Sequence, residues 1–404
     1  MINTPLTLAA STLQALLTVQ KKRPILKVFE VYSIGRTMSI NGVTPSVYLS
    51  DVSPSDQNWD TQRGLALYVQ FLYAQASQYE SYANRMHQCA GMLEFGFRLN
   101  PTSEQSSIML KRAMFCRVRY CPICQWRRSM LWRAKFFQTL PVIDSMHPNA
   151  HWLFLTLTVK NPQIAYLKQT LQHMTQSWRR LIARKSFKSA VLGYVRTTEV
   201  TLGKDGTAHP HYHVMLLVKP SYFTGKYYIN QKSWSLLWQD ALDVDYVPVT
   251  HVKKIKGDLT KGIIETLKYS TKPTDMLTDP DWFLELTKQT HKMRFVATGG
   301  VLKDVFKDDD TATDQELVTV CEQEDNLDDD GRRIIFGFNR VELRYKHLPM
   351  RDVNNWDLTP ASDAVKRQSK AIRNAKNHPY YTDDLGYQHN RKAFSIVDDF
   401  GFLV

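Results

Sequence analysis

Between residues 191 and 218 the sequence runs VLGYVRTTEVTLGKDGTAHPHYHVMLLV, two β-rich stretches separated by GKDG. A short link containing Gly and Asp between two such stretches is a strong hairpin signal, with Lys204 to Gly206 at the turn. Side chains alternate faces along a strand, so His209, His211 and His213 share one face and Tyr212, Val214 and Leu216 the other. A slip of one residue would exchange the two sets, and the pattern therefore fixes the register as well as the hairpin.

The neighbouring segments extend the pattern. HWLFLTLTV (151–159) reads as an apolar strand, and NPQIAYLKQTLQHMTQSWRRLIARK as a helix with Asn161 at the cap and Pro162 at the first helical position. QKSWSLLWQDAL is helical, YVPVTHVKKI a strand and LTKGIIETLKYSTK a second helix. The order β-α-β-β-α-β-α is that of ferredoxin-like and RNA-recognition-type domains. The predicted class is α+β, an antiparallel sheet with helices on one face and the other open to a ligand.

A chain of 404 residues has room for two or three domains. Composition divides it into an N-terminal segment (1–58), a helical and cysteine-rich region (59–145), the alternating region (146–300), and an acidic linker with a C-terminal segment (301–404). Residues 59–88 read as an amphipathic helix carrying Leu65, Leu67, Phe71, Leu72 and Tyr79. The formal charge is +13, although residues 303–330 hold twelve acids and two lysines, a local −10, so the remainder carries +23. Such a field suits a polyanion, with nucleic acid the usual one. No stretch has the length and apolarity of a membrane span or a signal peptide. Five cysteines, three of them between 116 and 124, indicate reduced thiols and a cytoplasmic protein.

Three groups of residues carry chemistry. Across the hairpin from the 211–213 stretch lies Glu199. Two histidines and a carboxylate suit Mg²⁺ or Mn²⁺ when phosphate oxygens complete the shell; a solvated histidine strand and a zinc hydrolase centre are the alternatives. In ETLKYSTK, Glu265, Tyr269 and Lys272 fall at i, i+4 and i+7 of a helix, with Lys268 beside them. The phenol, of ordinary pKa about 10, becomes a nucleophile when cations favour the phenolate, and Glu265 can accept a proton. A buried tyrosine flanked by surface charges gives the same spacing. The third group is Cys116, Cys121 and Cys124, whose separations let thiolates converge on one zinc, with Cys89 as the fourth ligand and His87 as the runner-up. Cys321 reads as free. Directly after the cysteines, Trp126, Arg127, Arg128 and Arg133 suit DNA phosphates and bases, or else an amphipathic helix with its tryptophans inward.

HYHVML, the upstream strand FLTLTV and the helix ETLKYSTKP, in that order and spacing, resemble the HUH endonuclease superfamily. Within it they are similar to rolling-circle replication initiators (Rep) of small bacterial and cyanobacterial plasmids. FCRVRYCPICQWRRS and ELTKQTHKMRFVATGGVLKDV are also similar to that group, so the likeness spans roughly residues 85–305. It implies that Tyr269 attacks single-stranded origin DNA, leaving a 5′-phosphotyrosine and a 3′-hydroxyl that primes synthesis. His211 and His213 would be the metal ligands of the family motif, with Glu199 inferred as the third. His209 would bond a phosphate or a carboxylate, and Glu265 would activate water or a second attack at termination. Mobilisation relaxases and transposases of the HUH type share this chemistry, and a non-catalytic zinc-containing nucleic-acid-binding protein is the other class. No GXXXXGK[ST] loop occurs, so ATP-driven unwinding is not expected of this chain; the implied partners are single- and double-stranded plasmid origin DNA and a recruited host helicase.

Overall fold

The computed structural model describes residues 46–99, 106–257, 259–267, 271–303, 314–319, 329–349, 380–382 and 388–390. The chain divides into two units: Met1–Cys124 with Asp314–Val404, and Gln125–Thr313. These boundaries differ from the four compositional zones because strand pairing joins segments remote in sequence.

In the first unit a helical turn at Leu49–Val52 and a 3₁₀ turn at Pro54–Gln57 lead into α1 (Asn58–Ala74) and α2 (Glu80–His87). The single helix expected over 59–88 breaks between them, where Ala76 is extended and Ser77–Tyr79 forms a 3₁₀ turn. Tyr79 and Tyr82 stack at that bend and Tyr73 packs against both, tilted to the first and edge-on to the second, with ring centroids 5.5 to 5.7 Å apart. The buried stripe of α1 is Trp59, Arg63, Ala66, Gln70 and Tyr73, at helical spacing, together with Leu67. Leu65, Phe71 and Leu72, expected to face inward, are only partly buried. Next come β1 (Met92–Leu99) and β2 (Ser106–Ala113), and then α3 (Pro122–Met146), along which the chain passes into the second unit.

The second unit contains β3 (His151–Thr158), α4 (Leu167–Ala183), β4 (Val191–Leu202), β5 (Ala208–Val218), α5 (Gln231–Leu242), β6 (Thr250–Lys254), α6 (Thr260–Thr266), α7 (Pro280–Gln289) and β7 (Val296–Gly300). The strands form one antiparallel sheet in the order β6-β3-β5-β4-β7. Its first four strands follow the predicted β-α-β-β-α-β order, and β7 extends the sheet beyond β4. On one face Tyr212 meets Trp178 of α4 and Trp238 of α5. The other face is not bare along its whole length. Val195, Met215 and Leu217 form a core there with Phe136 and Ile143 of α3 and with Ile263 and Leu267. Helices thus cover the end of this face near Val218.

Asn161 does not cap α4, which begins at Leu167 after a 3₁₀ turn over Ile164–Tyr166. Its amide is used by the hairpin instead: Nδ2 donates to Thr207 Oγ1 at 3.3 Å, and Oδ1 accepts from His209 Nδ1 at 2.7 Å.

Strand β7 ends in two glycines with distinct constraints. A Cβ on Gly299 would stand 2.4 Å from the Tyr194 ring, and one on Gly300, at φ +62°, 2.1 Å from the Leu192 carbonyl oxygen. Gly300→Ala is expected to destabilise the protein by roughly 3 kcal/mol, through left-handed backbone strain and the clash together. Thermal unfolding checks this; an unchanged midpoint would mean that β7 does not close the sheet in this way.

The chain returns to the first unit through a short helix, Asp314–Thr319, in which Leu317 and Val318 are buried. Strands β8 (Asp329–Asn339) and β9 (Arg344–Leu348) complete an antiparallel sheet of order β2-β1-β8-β9. The region read as a linker and tail therefore supplies half of this sheet, because β8 pairs with β1 from Met92 to Arg98. Trp59, Phe95, Phe336, Phe338 and Tyr345 pack edge-on in its core. Cys321 lies outside the described residues. Among the described residues no helix is long and apolar enough to cross a membrane.

Candidate active site and metal centres

Hairpin pairing places the histidines as the alternation requires. Glu199 pairs with His211, Thr197 with His213 and Thr201 with His209, so all six side chains share one face of β4 and β5. Glu199 Oε2 lies 3.2 Å from His211 Nε2 and 2.8 Å from His213 Nε2, and the two Nε2 atoms are 3.1 Å apart. All three residues are buried.

The tautomer of His211 bears on whether this trio suits a cation. Its Nδ1 is 3.2 Å from the His209 carbonyl oxygen, which can only accept; in the tautomer that donates there, the Nε2 lone pair faces Glu199 and His213. Ligating histidines are commonly fixed in this way. A carboxylate and imidazole nitrogens converging on one point in a buried site fit a small divalent cation. Phe154 stacks on His213 with centroids 5.4 Å apart and holds that ring in place. His209 stands outside the trio with its Nδ1 on Asn161; burial, then the neighbouring His211, lowers its pKa.

Helix α6 is tied to the same face. Thr197 Oγ1, on the face shared with Glu199, donates to the Thr266 carbonyl oxygen at 2.6 Å. Ser129 Oγ donates to the Leu267 carbonyl oxygen at 2.5 Å, and Arg133 supports Ser129 through its hydroxyl at 3.1 Å and its carbonyl at 3.2 Å. The chain is thus anchored two and three residues before Tyr269. The Glu265 side chain, Lys268 and Tyr269 lie outside the described residues. Lys272 does not continue a helical stripe from Glu265. Helix α6 ends at Thr266, and Lys272 is extended and exposed because Pro273 follows it.

In the first unit, Cys89, Cys116, Cys121 and Cys124 come together, each buried. Cys124 Sγ lies 3.6 Å from both Cys89 Sγ and Cys116 Sγ, and Cys121 Sγ lies 3.7 Å from Cys89 Sγ. A disulfide would need about 2.05 Å. A tetrahedral zinc about 2.3 Å from each sulfur gives edges of about 3.8 Å, close to the separations found. Two backbone amides point at the sulfurs, Cys116 N–H to Cys89 Sγ at 3.4 Å and Arg117 N–H to Cys124 Sγ at 3.3 Å, the latter made possible by left-handed backbone at Arg117. Burial pushes the Cys89 and Cys121 thiols well up, whereas hydrogen bonds from the other three sulfurs hold Cys124 well below the ordinary range. His87 is engaged elsewhere, within 3.3 Å of Gln70 Nε2 and 2.8 Å of Arg340 Nη2.

The arginines after the cysteines are used mostly within the protein. Arg127 is 3 % exposed and stands over the Trp126 ring, 5.4 Å from its centroid, and Arg133 turns back to Ser129. Arg127 is thus turned into the protein, whereas Trp126, Arg128 and Arg133 are half-buried. Thr197 and Ser129, not singled out from the sequence, hold the end of the tyrosine-bearing segment. Period-2 spacing to Glu199 carries a signal for Thr197, but none marks Ser129.

Residues 107–346, more than half of the chain, match the family model described as Replication protein. The chain is 35% identical over 262 residues to "Protein rep" of Streptococcus pneumoniae serotype 2 (strain D39 / NCTC 7466), covering 62% of this chain and 79% of that protein. It is 34% identical over 277 residues to "Protein rep" of Lentilactobacillus hilgardii, covering 65% and 87%. With a Staphylococcus aureus "Replication protein" it shares 36% identity over 215 residues, 49% of this chain and 91% of the relative. No solved structure matches. With a family model covering more than half its length and relatives matched over most of theirs, the chain belongs to the Rep family of replication proteins.

Proposed function

We propose that the protein initiates plasmid rolling-circle replication by nicking and rejoining single-stranded origin DNA through a covalent tyrosyl intermediate. The observation that carries this reading is the convergence of Glu199, His211 and His213 on the shared face of β4 and β5, to which the segment preceding Tyr269 is anchored through Thr197. Glu199, His211 and His213 would hold Mg²⁺ or Mn²⁺, which when bound would supply electrophilic polarisation of the scissile phosphodiester. Tyr269 Oη forms the new bond to phosphorus, the bond to the 3′-oxygen breaks, and the phenolic proton passes to solvent or a nearby base while the 3′-oxygen is released as a hydroxyl. Thr197 and Ser129 limit the freedom of the chain that presents the nucleophile, which lowers the entropic cost of alignment. Lys272, three residues after Tyr269, contributes positive charge for the transferring phosphate. Glu265 serves as the base for the second transfer at termination. Zinc held by the four cysteines stabilises the first unit, Arg128 and Trp126 contribute to origin contact, and a host helicase opens the duplex.

The test is intact-protein mass after incubation with single-stranded origin oligonucleotides and Mn²⁺. The native protein is expected to gain the mass of one cleavage fragment, Tyr269→Phe to gain none, and Glu265→Ala to form the adduct yet fail to resolve it. Binding without an adduct on an active origin sequence would leave the non-catalytic nucleic-acid-binding reading.

A further inference from the structure

The loop KPSYFTGKYYIN, which joins β5 to α5, has no part in the site described above. It borders a cleft of about 820 Å³ whose lining includes Lys185, Lys226, Tyr227, Tyr228 and Leu236. Tyr228 is 54% exposed and Leu236 48%, high values for large apolar side chains. Two ammonium groups stand near the Tyr227 ring, Lys226 Nζ at 5.4 Å and Lys219 Nζ at 5.8 Å from its centroid. Asp240, the one carboxylate of the lining, is paired with Arg184, so the lysines dominate the local field.

The loop is braced rather than loose. Tyr222 is buried, its hydroxyl donates to the Ile229 carbonyl oxygen at 2.8 Å and accepts from Trp234 Nε1 at 3.3 Å. Asn230 caps α5 by accepting from Ser233 N–H at 2.8 Å. The Tyr228 ring packs against Tyr222 and Phe223, with centroids 5.6 and 5.9 Å away, so it is positioned before any ligand arrives, which reduces the ordering cost of binding.

Exposed aromatic faces interleaved with lysines over a concave surface are what an unpaired polynucleotide needs: rings on which bases stack and cations along the backbone. A duplex cannot offer its base faces to Tyr228. We propose that this cleft is a second DNA contact, holding a single-stranded stretch away from the scissile phosphate. His213 and Val218 are separated by five strand residues, about 17 Å, and the loop begins beyond Val218, so the cleft and the histidine trio engage different parts of one strand. The proposal uses none of the nicking residues and is tested without chemistry.

The probe is a fluorescein-labelled oligo-dT of about 20 nucleotides, read by anisotropy against the full chain in EDTA. Tyr228→Ala with Lys226→Ala is expected to weaken binding about tenfold or more, and Tyr228→Trp to restore it alongside Lys226. Both positions are exposed, and an unchanged thermal midpoint checks folding. A 5-iododeoxyuridine version of the oligonucleotide should crosslink to the peptide containing Tyr227 and Tyr228. Native-like affinity of the double alanine variant, equal competition by duplex of the same length, or crosslinks confined to other peptides would each overturn the proposal. Loss of nicking in Tyr269→Phe with oligo-dT binding intact would separate this site from the catalytic one.

Discussion

His213→Ala is expected to eliminate metal-dependent adduct formation, by more than about a hundredfold, while affinity for single-stranded DNA in EDTA stays within about twofold. The reason lies in how closely the trio is drawn together. With the imidazole gone, the Glu199 carboxylate, its side chain 4% exposed, keeps His211 alone at 3.2 Å, and two donors bind a divalent cation far more weakly than three. A second readout does not depend on turnover. A ligand that binds only the folded state stabilises it by RT ln(1 + [L]/Kd), about 2.7 kcal/mol at a hundred times Kd. Mn²⁺ should therefore raise the unfolding temperature of the native protein and leave that of His213→Ala unmoved. If Mn²⁺ shifts both equally, the trio is not where it binds. Should neither shift while the native protein still nicks, the cation enters only with the DNA.

The second large effect concerns the cysteines. Purified protein is expected to contain one zinc per chain, and Cys124→Ser to contain almost none and to lose the cooperative unfolding of the first unit. Structural zinc contributes on the order of 10 kcal/mol of apparent binding free energy to the folded state, comparable to the whole stability of an ordinary domain. Cys124 is the one of the four held well below the ordinary thiol range, by hydrogen bonds from the other three sulfurs and the Arg117 N–H, so it is the sulfur best suited to bind as thiolate. Elemental analysis with a thiol-reactive dye decides the matter. A metal-free native protein whose four buried thiols react without unfolding would sink the assignment of zinc.

How much of this was legible beforehand varied with the range of the interaction. The 191–218 hairpin was readable to the residue, since alternation along one strand and a turn of fixed length leave a single register; Glu199 opposite His211 follows from both. The convergence of Cys116, Cys121 and Cys124 with Cys89 is likewise foreshadowed by short spacings and one plausible fourth thiol. Asn161 shows where local reasoning stops. Asn-Pro before a helical pattern is a sound cap signal, yet the amide found better partners in Thr207 and His209, which only the hairpin brings near. Lys272 fails for a local reason that could have been seen, since a proline follows it. Strands β8 and β9 had no such cue. β9 pairs with β8, whose other partner β1 lies more than two hundred residues earlier, and the acidic stretch before β8 disguises the pairing as a linker.

That pairing also sets an order of events during synthesis. Glu199 meets His211 and His213 across gaps of 12 and 14 residues, so the middle unit can complete its centre as soon as its own strands have left the ribosome. The first unit cannot. Met92 waits for Gly337 before its sheet has a third strand, and nascent chain of that length takes on the order of ten to fifty seconds to appear. Through that interval β1 has one open edge and the four thiols, already synthesised, sit on an unfinished support. Ribosome-stalled chains ending near residue 320 should thus carry a protease-resistant middle and a labile beginning, and chains released after residue 348 should be protected at both.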